Sequence, residues 1–340
     1  MHIYVTMADI LFVSMGMFII DEIEYLDGSV LRDVIGGAGT YGAYGARYFL
    51  PGDEARRVGW VVDAGSDFPE TLRKQLLELN TSMLLREDAS RLTTRGWNGY
   101  GANEYRAFKY QTPKKRITTE DIIGTELITS RSFHLICAPE RCQDLIDGLN
   151  AARADQKLPP AIIAWEPVPE LCTPEYLDAC FSSLPHVDIL TPNSAEAAAF
   201  FGLEEPTEKA GVEALAQKFF AHMRDDAAVV IRAGADGCVI LSKATGMKWL
   251  EAYHAPWPER VIDPTGAGNS FVGGMCIGYT LHGRDIVEAA LYGNLAAGLA
   301  IEQVGVAKPT YPDGSSTVEE LWNGTSVFGR MAEYKRRLGL

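Results

Sequence analysis

Along the chain, short runs of apolar residues alternate with segments whose apolar positions recur at helical spacing. Residues 133–137 read as a strand ahead of a helix over 139–153. Residues 161–165 precede a helical 174–181, and 187–190 precede a helix opening at Ser194. A helix around 211–224 leads into a strand at 229–232. This rhythm predicts a mostly parallel sheet sandwiched by helices. Ligands in such sheets sit beyond the carboxyl ends of the strands. Further on, Val261-Ile262 reads as a strand end, with apolar helices over 271–281 and 288–302.

Two regions break the rhythm. Residues 18–25 and 92–110 read as polar-aromatic strands with no helix between paired runs, the second carrying Trp97, Tyr100, Tyr105, Phe108 and Tyr110. A small, half-exposed antiparallel sheet uses such residues, and an edge hairpin with no further role is its plainest form.

Composition narrows the class. The 340 residues suffice for one large α/β domain or two ordinary ones, and no repeat, low-complexity tract or long Pro/Ser linker marks a boundary. Apolar residues make up 47% and charged residues 22%, as in a globular chain with a full core. The formal net charge is −14, and the basic runs are only Lys114-Lys115-Arg116 and Lys335-Arg336-Arg337, which argues against nucleic acid or an anionic membrane as partner. The apolar stretch 10–20 follows Asp9 and runs into Asp21-Glu22, without a cationic start or the length of a spanning helix. Six cysteines without zinc-type or secreted spacing read as reduced thiols in a cytoplasmic protein. No histidine stands in metal-ligand spacing, and His254 reads as structural or solvated.

The most specific segment is Asp263-Pro264-Thr265-Gly266-Ala267-Gly268-Asn269, just ahead of the apolar helix. Its small residues let an anion touch the backbone. Free N–H groups and the positive end of the helix dipole suit a phosphoryl group there.

This segment resembles the DTxGAGD signature of the PfkB/ribokinase carbohydrate-kinase family, whose final Asp is the base that deprotonates the acceptor hydroxyl. With DP at its start and Asn269 at its end, it is more similar still to a fungal, maintenance-of-killer branch of that family. The segments 16–23, 60–70, 93–101 and 188–198 fit the same branch, so the resemblance spans about residues 15–308. It implies a ribokinase-like three-layer α/β sandwich with a mostly parallel central sheet, as one domain over 1–340, with a small β lid from about 17–35 and 92–111. It further implies ATP, Mg2+ and a monovalent cation such as K+ as cofactors, a small-molecule substrate, and a homodimer through the lid.

The family's roles carry over residue by residue. Gly266, Ala267 and Gly268 stand at the anion hole with Thr265, and Asn269 stands where the base would be. Asp263 matches a carboxylate of the monovalent-cation site, or caps a strand end. Asp21, five residues after Gly16, matches a carboxylate that accepts bonds from two substrate hydroxyls, or is an exposed acid opening an acidic run. Gly36 and Gly37 match glycines that let a substrate hydroxyl approach the backbone, and Tyr41 stands where Asn is common, replacing a polar contact with an aromatic wall. Ile19 likewise replaces a common Asn. Trp97 belongs to the lid over the acceptor.

Asn193 and Glu196 match a motif linked to the phosphates and to magnesium-bound water, and they also spell a capping box. Gly234 and Gly237 match a strand-turn-strand beside the nucleotide. Asn294 matches a position near the adenine, or is a satisfied core amide.

An amide takes no proton at neutral pH, so base help worth roughly 10²- to 10⁴-fold is lost at Asn269. Phosphoryl transfer rests mainly on positioning and charge stabilisation, so transfer is slowed rather than forbidden. The expected function is ATP-dependent phosphotransfer to a small polar metabolite, one already ionised included; the alternative is a silent nucleotide- or metabolite-binding pseudokinase. On this reading Asn269→Asp restores a base.

Overall fold

The computed structural model describes residues 9–100, 106–312 and 320–340. The chain opens with β1 (Phe12–Ser14), then β2 (Ile19–Glu24), β3 (Val30–Gly36) and helix α1 (Ala38–Arg47). β4 (Val58–Gly65), α2 (Glu70–Leu77), β5 (Ser82–Asp88), β6 (Arg95–Tyr100) and β7 (Arg106–Tyr110) follow. The middle third runs β8 (Ser132–Cys137), α3 (Pro139–Asp155), β9 (Ile162–Pro167), α4 (Leu177–Ser183), β10 (Ile189–Leu190), α5 (Ser194–Ala199) and α6 (Lys209–Phe220). Then come β11 (Ala228–Arg232), β12 (Cys238–Ser242), β13 (Gly246–Leu250), α7 (Ala267–Leu281) and α8 (Ile286–Ala300). A small antiparallel sheet of β14 (Pro309–Thr310), β15 (Leu321–Trp322) and β16 (Thr325–Ser326) precedes α9 (Val327–Leu338).

Nine strands form the central sheet in the order β13-β12-β11-β10-β9-β8-β1-β4-β5, parallel from β5 through β11 and antiparallel only at β12 and β13. Its strands are apolar on both faces because both faces are covered. Ala228 and Val230 point into the core packed by α1, α7 and α8, while Val229 and Ile231 point into the core packed by α3 to α6. The expected three-layer α/β sandwich is observed, with its rhythm nearly residue for residue.

Helices α1 and α7 approach backbone to backbone at two points. A Cβ on Gly273 would lie 2.0 Å from the Gly42 carbonyl oxygen, and one on Gly45 would lie 2.1 Å from that of Ser270. This contact seats the start of α1 beside the start of α7.

Two expectations are corrected. Val261-Ile262 is not a strand end: both side chains are exposed, and the segment follows a single 3-10 turn at Pro258–Arg260. Prolines at 256, 258 and 264 remove the ladder donors a strand there would need, and the Ile262 and Asp263 N–H groups instead donate to the Ile301 carbonyl at 2.8 and 3.2 Å. The small sheet β3-β2-β6-β7 is mixed rather than antiparallel. Its central pair, β2 and β6, is parallel because the chain passes through α1, β4, α2 and β5 between them.

Candidate active site

The anion turn is braced from within. Asp263 is buried, and its Oδ1 accepts from the Thr265 N–H at 2.9 Å and the Thr265 hydroxyl at 2.5 Å, so it acts as a cap on this turn. Gly266 has a left-handed backbone (φ 78°), and a Cβ there would strike the Tyr41 ring at 2.1 Å. Tyr41 is thus a buried support beneath the turn. Helix α7 begins at Ala267 with no side-chain cap and no acid in its first turn, leaving its N-terminal dipole open.

Beside the turn lies a charged network in which Asn269 and Glu196 meet His134, Glu166 and Arg232, residues the sequence reading did not name. Asn269 Nδ2 donates to Glu166 Oε2 at 2.8 Å, and His134 Nε2 meets the same oxygen at 2.9 Å. Arg232 Nη2 pairs with Glu166 Oε1 at 2.8 Å, reaches Glu196 Oε2 at 3.4 Å and donates to the Thr191 carbonyl at 3.2 Å. Its Nη1 lies only 1.8 Å from where a Cβ on Gly268 would be, so the guanidinium rests directly against the turn. Glu166 and Arg232 stand at the carboxyl ends of β9 and β11, where this architecture gathers ligands. The signal was in the sequence: a charged residue closes each of two otherwise apolar strands, and His134 interrupts a third.

One guanidinium holds two buried carboxylates in different states. Burial raises the Glu166 carboxyl, but Arg232, His134 and the Asn269 amide overcome it and draw it down to about 2. Burial also raises Glu196, Arg232 offsets this only in part, the Glu166 charge adds to it, and the result is about 7.

Asn193 and Glu196 form the capping box at α5: Asn193 Oδ1 accepts from Glu196 N–H at 2.7 Å and Glu196 Oε2 from Asn193 N–H at 2.8 Å. A bridge between Asn193 and Arg232 ties the cap to β11, which brings both residues to the network. Gly234 and Gly237 bound the turn between β11 and β12. Asn294 is a bonded core amide, its Nδ2 donating to the Tyr334 hydroxyl at 2.9 Å. His254 is buried against Glu302 at 3.0 Å.

The mixed sheet carries the other half. The Asp21 carboxylate sits between two glycines, with Oδ2 1.9 Å from the Cβ position of Gly36 and Oδ1 2.7 Å from that of Gly96. Gly37 caps α1, so Asp21 and the Gly36-Gly37 turn stand together. Registry places Asp21 opposite Gly96, and Gly96 and Asn98 opposite Tyr110 and Phe108, all on one face. Trp97 lies opposite Glu22 on the other face, where its Nε1 donates to Glu24 Oε2 at 2.9 Å. The aromatic side chains on the face of Asp21 are therefore Phe108, whose ring abuts the Gly96 Cβ position, and Tyr110, whereas Trp97 is on the opposite face. Burial raises the Tyr110 hydroxyl, and the charges of Glu170 and Asp21 add to it. Tyr105 lies outside the described residues, as do the details of the Tyr100 side chain.

Among the described residues no group of three or more His, Cys, Asp or Glu side chains is placed to hold a metal ion. No helix among them is long and apolar enough to cross a membrane, and all six cysteines are buried and free.

Residues 150–313 match the family model described as pfkB family carbohydrate kinase. Protein MAK32 of Saccharomyces cerevisiae is 36% identical over 97% of this chain and 93% of its own length. Among solved structures, a ribokinase from Giardia lamblia has a TM-score of 0.70 at 19% identity, covering 87% of this chain and 95% of its own. A ribokinase from Cryptococcus neoformans in complex with ADP has a TM-score of 0.63 at 18% identity, covering 88% and 95%. The fold is theirs.

Proposed function

This chain belongs to the PfkB family of carbohydrate kinases, and from that premise we propose that it transfers the γ-phosphoryl group of ATP to a small polar metabolite. The observation that carries the reading is the open start of α7 with the Arg232 guanidinium laid against Gly268, which makes an anion site from backbone donors and one fixed cation. An ADP-bound relative in fold supports a nucleotide there.

Residues Thr265 to Gly268 cradle the transferring group, with Asn193, Gly234 and Gly237 along the nucleotide. Asp21, Gly36 and Gly37 bind acceptor hydroxyls under Phe108 and Tyr110. In transfer the bond from phosphorus to the ADP oxygen breaks, a bond from phosphorus to the acceptor oxygen forms, and the acceptor proton leaves to water. A loose transition state tolerates an amide at position 269, because position and charge do most of the work.

Glu196 fits an outer role toward Mg2+: its two bonds use Oε2, which leaves Oε1 for a metal-bound water. The ion supplies charge neutralisation between the phosphates. Asp263 fits a monovalent cation such as K+ behind the turn, and the outer face of the mixed sheet fits a homodimer contact.

A second reading, a nucleotide-binding protein without turnover, is favoured by one feature: the side chain at 269 has no basic atom. Thermal melting with millimolar ATP and Mg2+ tests both readings, since a ligand at 100 times its dissociation constant adds about 2.7 kcal/mol. No shift sinks both. A shift with phosphorylated product from a metabolite panel selects the enzyme. Gly268→Asp, which drives a carboxylate into Arg232 and the anion site, abolishes the shift.

A further inference from the structure

The Asn269 amide has one way to face its surroundings. Glu166 is ionised, held low by Arg232 and its hydrogen bonds against the effect of burial, so it has no proton to give. The group 2.8 Å from its Oε2 is therefore the NH2 end of Asn269, and the carbonyl Oδ1 turns away from Glu166. The other close neighbours of the carboxylate, His134 and Arg232, also meet it through nitrogen, at 2.9 and 2.8 Å. All three partners thus meet the carboxylate through nitrogen.

We propose that the transfer site carries its negative charge on Glu166 rather than at position 269, and that Glu166 is a positioning residue that fixes Asn269 with its carbonyl oxygen toward the acceptor. The inference rests on the phosphotransfer reading for its purpose, but not for its geometry. So held, Asn269 accepts a hydrogen bond from an acceptor O–H and orients it without removing the proton.

One consequence reverses a sequence-based expectation. Asn269→Asp alone does not install a base, because it sets a second carboxylate against Glu166 Oε2 where a donor stood. Two carboxylates at that distance hold one proton between them. A base appears only when the charge is exchanged, with Glu166→Gln added to Asn269→Asp. The amide introduced at position 166 then presents its NH2 to the carboxylate introduced at position 269, and its oxygen to Arg232.

The test uses the full chain as wild type, N269D, N269L and E166Q/N269D, melted between pH 5 and 9. The groups facing position 269 are Glu166, His134 and Arg232, with Glu196 beyond the guanidinium and Glu170 and Cys172 beyond that. In N269D the new carboxyl is raised in the folded state. Its penalty therefore grows as pH rises above the ordinary Asp value and levels off above the raised one. Relative to wild type, N269D is expected to lose at least about 3 °C more at pH 8 than at pH 5. N269L removes the bond without adding charge and loses equally at both. The exchanged pair removes the pH-dependent loss and turns over at least tenfold faster than N269D with ATP, Mg2+ and the same acceptor panel. If N269D follows N269L across the pH range, Glu166 does not hold the charge and the proposal fails. Equal turnover of N269D and the exchanged pair removes the acceptor-facing role. Should the double variant not fold, the N269D–N269L contrast still decides. If ATP stabilises none of these proteins and none turns over, phosphotransfer is lost while the melting contrast still judges the pair.

Discussion

On the phosphotransfer reading, the two proposed ends of the site are built from different material. The phosphate end stands on the carboxyl ends of β9 and β11 and the start of α7, with its charges locked among themselves. The acceptor end stands on a four-stranded sheet, where Asp21 lies between glycines and Phe108 is 44% exposed. One end is held by ionic partners within a packed core, the other by backbone closeness on a half-covered sheet. Damage to the first should therefore appear as lost stability, and damage to the second as lost ligand.

Arg232→Ala probes the difference most severely. It leaves Glu166 and Glu196 buried without their cation, at a cost of about 3–5 kcal/mol. Both carboxyls then rise, so the loss is greatest at pH 8 and shrinks on acidification; urea unfolding at pH 5 and 8 measures it. A loss that grows on acidification would contradict the assigned network.

The two carboxylates themselves titrate in opposite senses. Glu166, depressed to about 2, contributes stability that is present above its ordinary value of 4.5 and is lost as pH falls from there toward 2. Glu196, raised to about 7, contributes a penalty that develops as pH rises from 4.5 and is complete above 7. Glu196→Gln removes that pH-dependent penalty, which reaches about 3 kcal/mol. Stability against pH should accordingly flatten between 4.5 and 7.5; an unchanged slope would place the titration elsewhere.

At the acceptor end, Asp21→Ala is expected to weaken acceptor binding about tenfold or more, by losing a charged hydrogen-bond acceptor, with little change in nucleotide affinity or melting. Calorimetry with each ligand separates the two, and equal losses would move Asp21 to the wrong end. The smallest contrast lies within the sheet. Phe108→Ala should lower acceptor affinity several-fold, whereas Trp97→Ala, on the opposite face, should leave it within about twofold.

The strand-helix rhythm was legible because a parallel sheet covered on both sides writes itself as apolar runs, and the turn at 263–269 was legible because its small residues are contiguous. The face on which Trp97 lies was not legible, because the face of a strand depends on registry with partners far along the chain. His134, Glu166 and Arg232 come from three strands and meet only once the sheet is ordered, so no local spacing reports them. The sequence left Asn294 open between an adenine-side amide and a core amide, because its partner Tyr334 lies on α9, beyond the reach of local pattern.

The two points where α1 and α7 touch through glycine backbone give the molecule a stiff transmission. β3 runs through Gly37 straight into α1, and α1 rests backbone to backbone on α7 at Gly42 and Gly45. A leucine or methionine in such a contact acts as a cushion, absorbing small tilts by changing rotamer. Here no cushion exists, so a tilt of the acceptor-bearing sheet carried by β3 into α1 meets the start of α7 undamped. Gly45→Ala would not merely crowd two helices; it would change the distance at which the two halves of the site are set.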